Sequence, residues 1–104
     1  MIRIFLDDER DVKNIYPDNY TGWIVCSNVE KAKRLILDNI DEEFIISFDH
    51  DLGEKQSGYD LAKWIEERVI NREMIMPQWY IHSANPKGRE YIEMAMRSAE
   101  RNVE

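Results

Sequence analysis

The sequence predicts a small doubly wound α/β domain of about four parallel strands within one unit spanning residues 1–104. Three observations carry this. Short apolar runs alternate with stretches of helical period, an order that favours parallel strands joined by right-handed crossovers. The run Phe44-Ile45-Ile46-Ser47-Phe48 is almost continuously apolar, as expected of a central strand covered on both faces. Three of the four runs end abruptly in clustered polar side chains, and ligands in such sheets bind outside the carboxyl ends of the strands.

Ile2–Leu6 is short, β-branched and apolar, and reads as the first strand, with an acidic mouth at Asp7-Asp8-Glu9-Arg10. Residues 11–22 read as a loop with room for one or two helical turns at Val12, Ile15 and Tyr16, because Pro17, Asn19 and Gly22 break any longer pattern. Trp23–Cys26 is the second strand. Ser27-Asn28-Val29-Glu30 has the Ser-x-x-Glu spacing of a capping box, and Val29, Ala32, Leu35, Ile36 and Ile40 carry an apolar stripe on a helix to about Asp38. Phe44–Phe48 is the third strand. After a loop from Gly53 to Gly58, Ser57 and Asp60 repeat the capping spacing, and Leu61, Ala62, Ile65 and Val69 mark a helix to about Asn71 whose buried face Trp64 extends. Met76 and Pro77 introduce a fourth strand, Trp79–His82. Asn85 as N-cap and Pro86 at the first helical position open a last helix striped by Ile92, Ala95, Met96 and Ala99. Met74, Met76, Met94 and Met96 read as core filler.

The length suits one domain with a real core, and 43% hydrophobic with 34% charged residues argues against disorder. A net charge of -7 disfavours non-specific nucleic-acid binding, which needs a basic surface to displace counterions. A small phosphorylated ligand held through a metal ion or a few aimed basic groups stays compatible. The single cysteine, Cys26, excludes an internal disulfide and a cysteine zinc motif, and fits a small buried hydrophobe in a reducing compartment. No apolar stretch approaches bilayer length and the N-terminus opens directly into a strand, so no membrane partner and a cytoplasmic location are the expectation.

Parallel strands bring the three polar mouths side by side: Asp7 and Asp8, then Asp49, His50 and Asp51, then His82, Ser83 and Asn85. Carboxylate oxygens with open positions beside them suit Mg²⁺ or Mn²⁺, and such an ion could also hold a phosphate oxygen and a water. That is phosphoryl chemistry in outline, with His50 or His82 able to move protons near neutral pH. Two imidazoles flanking a phosphodiester could equally run acid–base catalysis without metal. Plainer readings stand beside these. Asp8 could cap a turn at Glu9 and Arg10, Asn85 could serve only as an N-cap, Asp51 with Gly53 could be turn chemistry, and a lone Ser83 at a strand-to-helix turn is commonplace. Arg10, Lys87 and Arg89 could orient an anionic substrate or be solvated surface charge, and no basic residue is placed by the sequence beside Asp7 and Asp49. Side-chain alternation along a strand argues that His50 and Asp51 do not face the same way.

Asp7-Asp8, Asp49 and Ser83 resemble the acidic pocket of two-component receiver domains, in which carboxylates hold Mg²⁺ and the strand-three aspartate accepts a phosphoryl group. The chain departs from that pattern: receivers have a fifth strand followed by a lysine, with no histidine directly after the acceptor. Leu6-Asp7-Asp8-Glu9-Arg10, Asp49-His50-Asp51-Leu52-Gly53 and His82-Ser83-Ala84-Asn85-Pro86 resemble more closely a receiver-like family named for cyclic-phosphate processing. The resemblance covers nearly the whole chain. It implies a truncated flavodoxin-like three-layer sandwich with strand order 2-1-3-4, and hydrolysis of a cyclic phosphate of the nucleoside 2′,3′-cyclic or ADP-ribose cyclic class. On this reading Asp7, Asp8, Asp49 and Asp51 are the metal set, His50, His82 and Asp49 the catalytic groups, and Arg10, Ser83 and Asn85 the substrate contacts. A non-catalytic module binding a divalent metal, a nucleotide or a protein partner is the alternative. An open sheet with two free edges also allows a homodimer.

Overall fold

The structure is a computed structural model that describes residues 1–103. Its elements are β1 (Ile2–Leu6), α1 (Val12–Ile15), β2 (Trp23–Cys26), α2 (Val29–Asp38), β3 (Phe44–Phe48), α3 (Gly58–Ile70), β4 (Gln78–Ile81) and α4 (Pro86–Arg101). The four strands form one parallel sheet in the expected order β2-β1-β3-β4.

Register decides what each sheet face carries. Ile4 and Leu6 pair with Ile46 and Phe48, placing their side chains on one face together with Ile81, which pairs with Phe48. Against that face α2, α3 and α4 bury Val29, Ala32, Ile36, Leu61, Ile65, Ile92 and Met96 in one continuous core. Each fully buried Val, Leu, Ile or Met side chain among them contributes about 1.5–3 kcal/mol. The opposite face carries Phe5, Ser47 and Tyr80 in register, and receives only the short α1 and the loop that follows it. Phe5 and Val12 are buried there, Tyr16 and Trp23 contact the edges of the Phe5 ring, and Val25 and Tyr80 stay exposed. The sheet thus has helices on both faces, with one layer much thinner than the other.

Local sequence rules place most element ends. At α3 the Asp60 carboxylate accepts from Ser57 N at 2.7 Å, as its spacing predicts. At α2 the cap is Asn28 rather than Ser27: Asn28 Oδ1 accepts from Lys31 N at 2.9 Å, while Ser27 Oγ faces Lys31 Nζ at 3.2 Å. The fourth strand begins and ends one residue earlier than expected. His82 lies just past it, but its N–H still donates to Phe48 O at 2.9 Å. Met74 and Met96 are core, whereas Met94 is exposed. Cys26 is buried, and burial pushes its thiol pKa up. No described helix is long and apolar enough to cross a membrane.

Candidate functional site

The backbone ladder continues one residue past the strands. Asp7 N donates to Cys26 O at 3.1 Å, Asp49 N to Leu6 O at 3.0 Å, and His82 N to Phe48 O at 2.9 Å. Asp7, Asp49 and His82 therefore stand abreast at the carboxyl edge, on the thinly covered face. Asp7 and Asp49 are only 2% and 5% exposed, an unusual position for two carboxylates.

Asp7 is held from several sides. Its Oδ1 accepts from Glu9 N and Arg10 N, both at 2.8 Å, so it is Asp7 rather than Asp8 that caps the turn. That leaves the Asp8 carboxylate exposed, beside Gly53. Gly53 has φ +64°, a backbone conformation that calls for glycine, and a Cβ there would come within 2.9 Å of the exposed Asp8 Oδ2. One oxygen from each of Asp7, Asp8 and Asp49 lies within 4.8 Å of the others. Arg10 answers part of the charge. Its Nη1 is 3.5 Å from Asp49 Oδ1 and 3.8 Å from Asp7 Oδ2, and donates to His82 O at 3.2 Å. A basic residue therefore does stand beside the pair, brought by the turn that Asp7 itself caps. Burial and the neighbouring Asp7 charge nonetheless raise the Asp49 pKa, outweighing Arg10 and the His50 N–H. Three convergent carboxylates, two of them buried and incompletely neutralised, are a donor set suited to a hard divalent cation.

His82 sits beneath this group. Its ring stacks on Phe5 at 4.4 Å with the planes 6° apart. Its Nε2 is 3.0 Å from Asp7 Oδ2 and its Nδ1 is 2.7 Å from Ser47 Oγ, which in turn is 2.7 Å from Tyr16 Oη. A carboxylate only accepts, so Nε2 carries the proton. Burial lowers the His82 pKa despite Asp7 and Asp49, and the neutral ring accepts at Nδ1 from Ser47, which accepts from Tyr16.

His50 stands in the open part of the mouth. The strand has ended at Phe48 and the chain has turned, so strand alternation no longer separates residues 50 and 51: His50 Nδ1 meets Asp51 Oδ1 at 3.1 Å. That contact, followed by the Asn85 amide, holds the Asp51 pKa below the usual carboxylate range. Asn85 Nδ2 donates to Asp51 at 3.3 Å while its Oδ1 accepts from Gly88 N at 3.0 Å, so a single side chain caps α4 and tethers Asp51. Asp51 thus lies outside the group formed by Asp7, Asp8 and Asp49. Two glycines make room for this loop. Gly58 lies against the Asp49 carbonyl, its N–H donating to His50 O at 3.0 Å, and a Cβ on Gly88 would overlap the His50 ring.

Ser83 is buried, its Oγ accepting from Asn85 N at 3.1 Å. Arg89 Nη1 donates to Ile81 O at 2.9 Å and to Ser83 O at 3.2 Å, closing off part of the β4 edge rather than reaching into the mouth. Sequence reasoning missed Ser47, Tyr16, Gly58 and Gly88. The one available signal was Ser47, a lone polar residue inside an apolar strand.

Searches of curated proteins and of solved structures return no match. A family model described as cyclic-phosphate processing receiver domain matches residues 2–98. With nearly the full chain covered and the strand order and acidic mouth in place, the protein belongs to the cyclic-phosphate processing receiver domain family.

Proposed function

We propose that this protein is a metal-assisted phosphoesterase that opens a cyclic phosphodiester, of the nucleoside 2′,3′-cyclic phosphate or ADP-ribose cyclic phosphate class. The observation that carries the reading is the convergence of the Asp7, Asp8 and Asp49 carboxylates within 4.8 Å, beside a histidine whose Nδ1 is engaged by a carboxylate. A divalent ion in that group, Mg²⁺ or Mn²⁺, would neutralise charge developing on the phosphoryl oxygens. His50, oriented by Asp51, takes a proton from water through Nε2, and Asp51 stabilises the imidazolium. Water oxygen bonds to phosphorus, one ring P–O bond breaks, and His50 returns its proton to the leaving ribose oxygen. The product is a phosphomonoester. Arg10 carries guanidinium nitrogens beyond the Nη1 that contacts Asp49 and His82, and is the residue best placed to bind an anionic phosphate.

The test is incubation with nucleoside 2′,3′-cyclic phosphates and ADP-ribose cyclic phosphate in Mg²⁺, Mn²⁺ or chelator, with Asp49→Asn and His50→Ala alongside. Monoester formation that needs metal and fails in both variants supports the reading. Turnover unchanged in both would sink it.

One observation favours a second reading, a module that binds a divalent ion and a nucleotide without turnover. Both His82 nitrogens are engaged inside the protein, so only one imidazole is free to move protons. Tight ligand binding with no product would select this reading.

A further inference from the structure

We propose that Ser47 and Tyr16 are positioning residues that act through His82 to fix the Asp7 carboxylate in the orientation needed to hold a divalent ion. The inference rests on the metal reading above for its consequence, but its geometry stands alone. Asp7 Oδ1 is occupied by two backbone N–H groups, so the oxygen left to face the acidic group is Oδ2, the atom that receives His82 Nε2–H. A carboxylate oxygen fixed this way is set in direction, and groups behind a metal ligand typically change affinity about 10–100-fold when removed. His82 is itself fixed on three sides, by Phe5 under the ring, Asp7 at Nε2 and Ser47 at Nδ1.

Ser47 is fully buried inside an otherwise apolar strand, a costly place for a hydroxyl unless both its roles are used. Here they are: Ser47 donates to Nδ1 and accepts from Tyr16. Tyr16 is held in turn by stacking on Trp23 at 5.2 Å, with the planes 7° apart. The chain Tyr16, Ser47, His82, Asp7 thus runs from the thinly covered sheet face to the acidic mouth, giving His82 an orienting role in place of proton transfer.

The full-length chain tests this with Ser47→Ala and Tyr16→Phe, each made alone and in a His82→Asn background. Two readouts are used: Mn²⁺ affinity by calorimetry, and the Asp7 Cγ and His82 Nδ1 resonances by NMR. Ser47→Ala should weaken Mn²⁺ binding about tenfold, Tyr16→Phe less. The Nδ1 resonance should move toward that of an unbonded acceptor and Asp7 Cγ should shift. In the His82→Asn background, neither Ser47→Ala nor Tyr16→Phe should change affinity or Asp7 Cγ further. An unmoved Asp7 Cγ in Ser47→Ala, or a loss that persists undiminished in the His82→Asn background, overturns the proposal, since the latter would be a merely structural effect. Absence of Mn²⁺ binding by the unaltered protein overturns the metal reading instead, and the Asp7 Cγ shift then decides the positioning claim.

Discussion

Replacing Gly88 by alanine should separate proton transfer from metal binding. A Cβ on Gly88 would overlap His50 Cγ and lie 2.6 Å from His50 Cβ and 2.7 Å from Cδ2, so the imidazole must leave its place. Forcing an extra methyl group into a packed contact costs about 1–3 kcal/mol, and exchanging glycine for alanine in a helix returns roughly 1 kcal/mol. The net loss of stability is therefore modest, between about 0 and 2 kcal/mol. The effect on chemistry is larger. Moving His50 breaks its 3.1 Å contact with Asp51, and misplacing a proton-transfer group by about 1 Å costs on the order of 100-fold in rate. Asp7 and Asp8 sit on another backbone segment, and Asp49, although next to His50, is anchored by its own N–H to Leu6 O, so Mn²⁺ affinity should change far less than kcat, and urea melting should show a folded protein. The assay is kcat for cyclic-phosphate opening beside calorimetric Mn²⁺ binding. In a His50→Ala background the same substitution should leave activity no lower, because the imidazole is already gone, and should cost less stability than in the unaltered protein, because only the 2.6 Å approach to the remaining Cβ is left. Unchanged kcat in Gly88→Ala would refute the placement of His50 as the proton carrier.

Three further substitutions test the same geometry. Asp49→Asn removes a buried carboxylate whose pKa is raised, chiefly by burial and then by Asp7. Its ionisation opposes folding as pH climbs from its ordinary 3.8 through the folded value, so the variant should melt at higher urea at pH 7 without metal. The same variant should lose the stabilisation that the unaltered protein gains from Mn²⁺, about 2.7 kcal/mol at a hundredfold excess over Kd. Arg10→Ala takes a guanidinium 3.5 Å from Asp49 Oδ1 away from the acidic group, and should tighten Mn²⁺ binding by about tenfold at low salt while raising KM for the cyclic phosphate; an Arg10 without effect on either would not be part of the site. His82 has a folded pKa below its ordinary 6.5, so the unfolded chain binds the extra proton: stability from this group is present above pH 6.5 and drains away as pH falls through it. Urea melts between pH 7.5 and 5.5 should show that slope flatten in His82→Asn.

The acidic mouth was legible in the sequence because parallel strands of matched length end together, and Asp7, Asp8 and Asp49 are the residues that follow β1 and β3. The element order was legible for a similar reason, since apolar runs and helical stripes report burial. Partnerships across the fold were not. Nothing within five residues of Ser47 states that His82 and Tyr16 will meet it, and Gly88 reads as a weak spot in a helix until the His50 ring is seen lying against it. Arg10 reads as a substrate contact or a surface charge, and its approach to Asp49 was not legible because the turn capped by Asp7 Oδ1 is what swings it there. Strand alternation sets His50 and Asp51 apart only while the ladder lasts, and the ladder ends at Asp49. The Ser27 cap failed by one position because Asn28, an equally good cap, sits next to it.

Whether Asp7, Asp8 and Asp49 hold a divalent ion with which the protein opens a cyclic phosphate is decided by ³¹P NMR of a nucleoside 2′,3′-cyclic phosphate before and after chelation. The expected result is conversion of the cyclic resonance to a monoester in Mn²⁺ or Mg²⁺, halted by chelator, restored by added metal, and absent in Asp49→Asn. Conversion that continues at the same rate in chelator and in Asp49→Asn would contradict it.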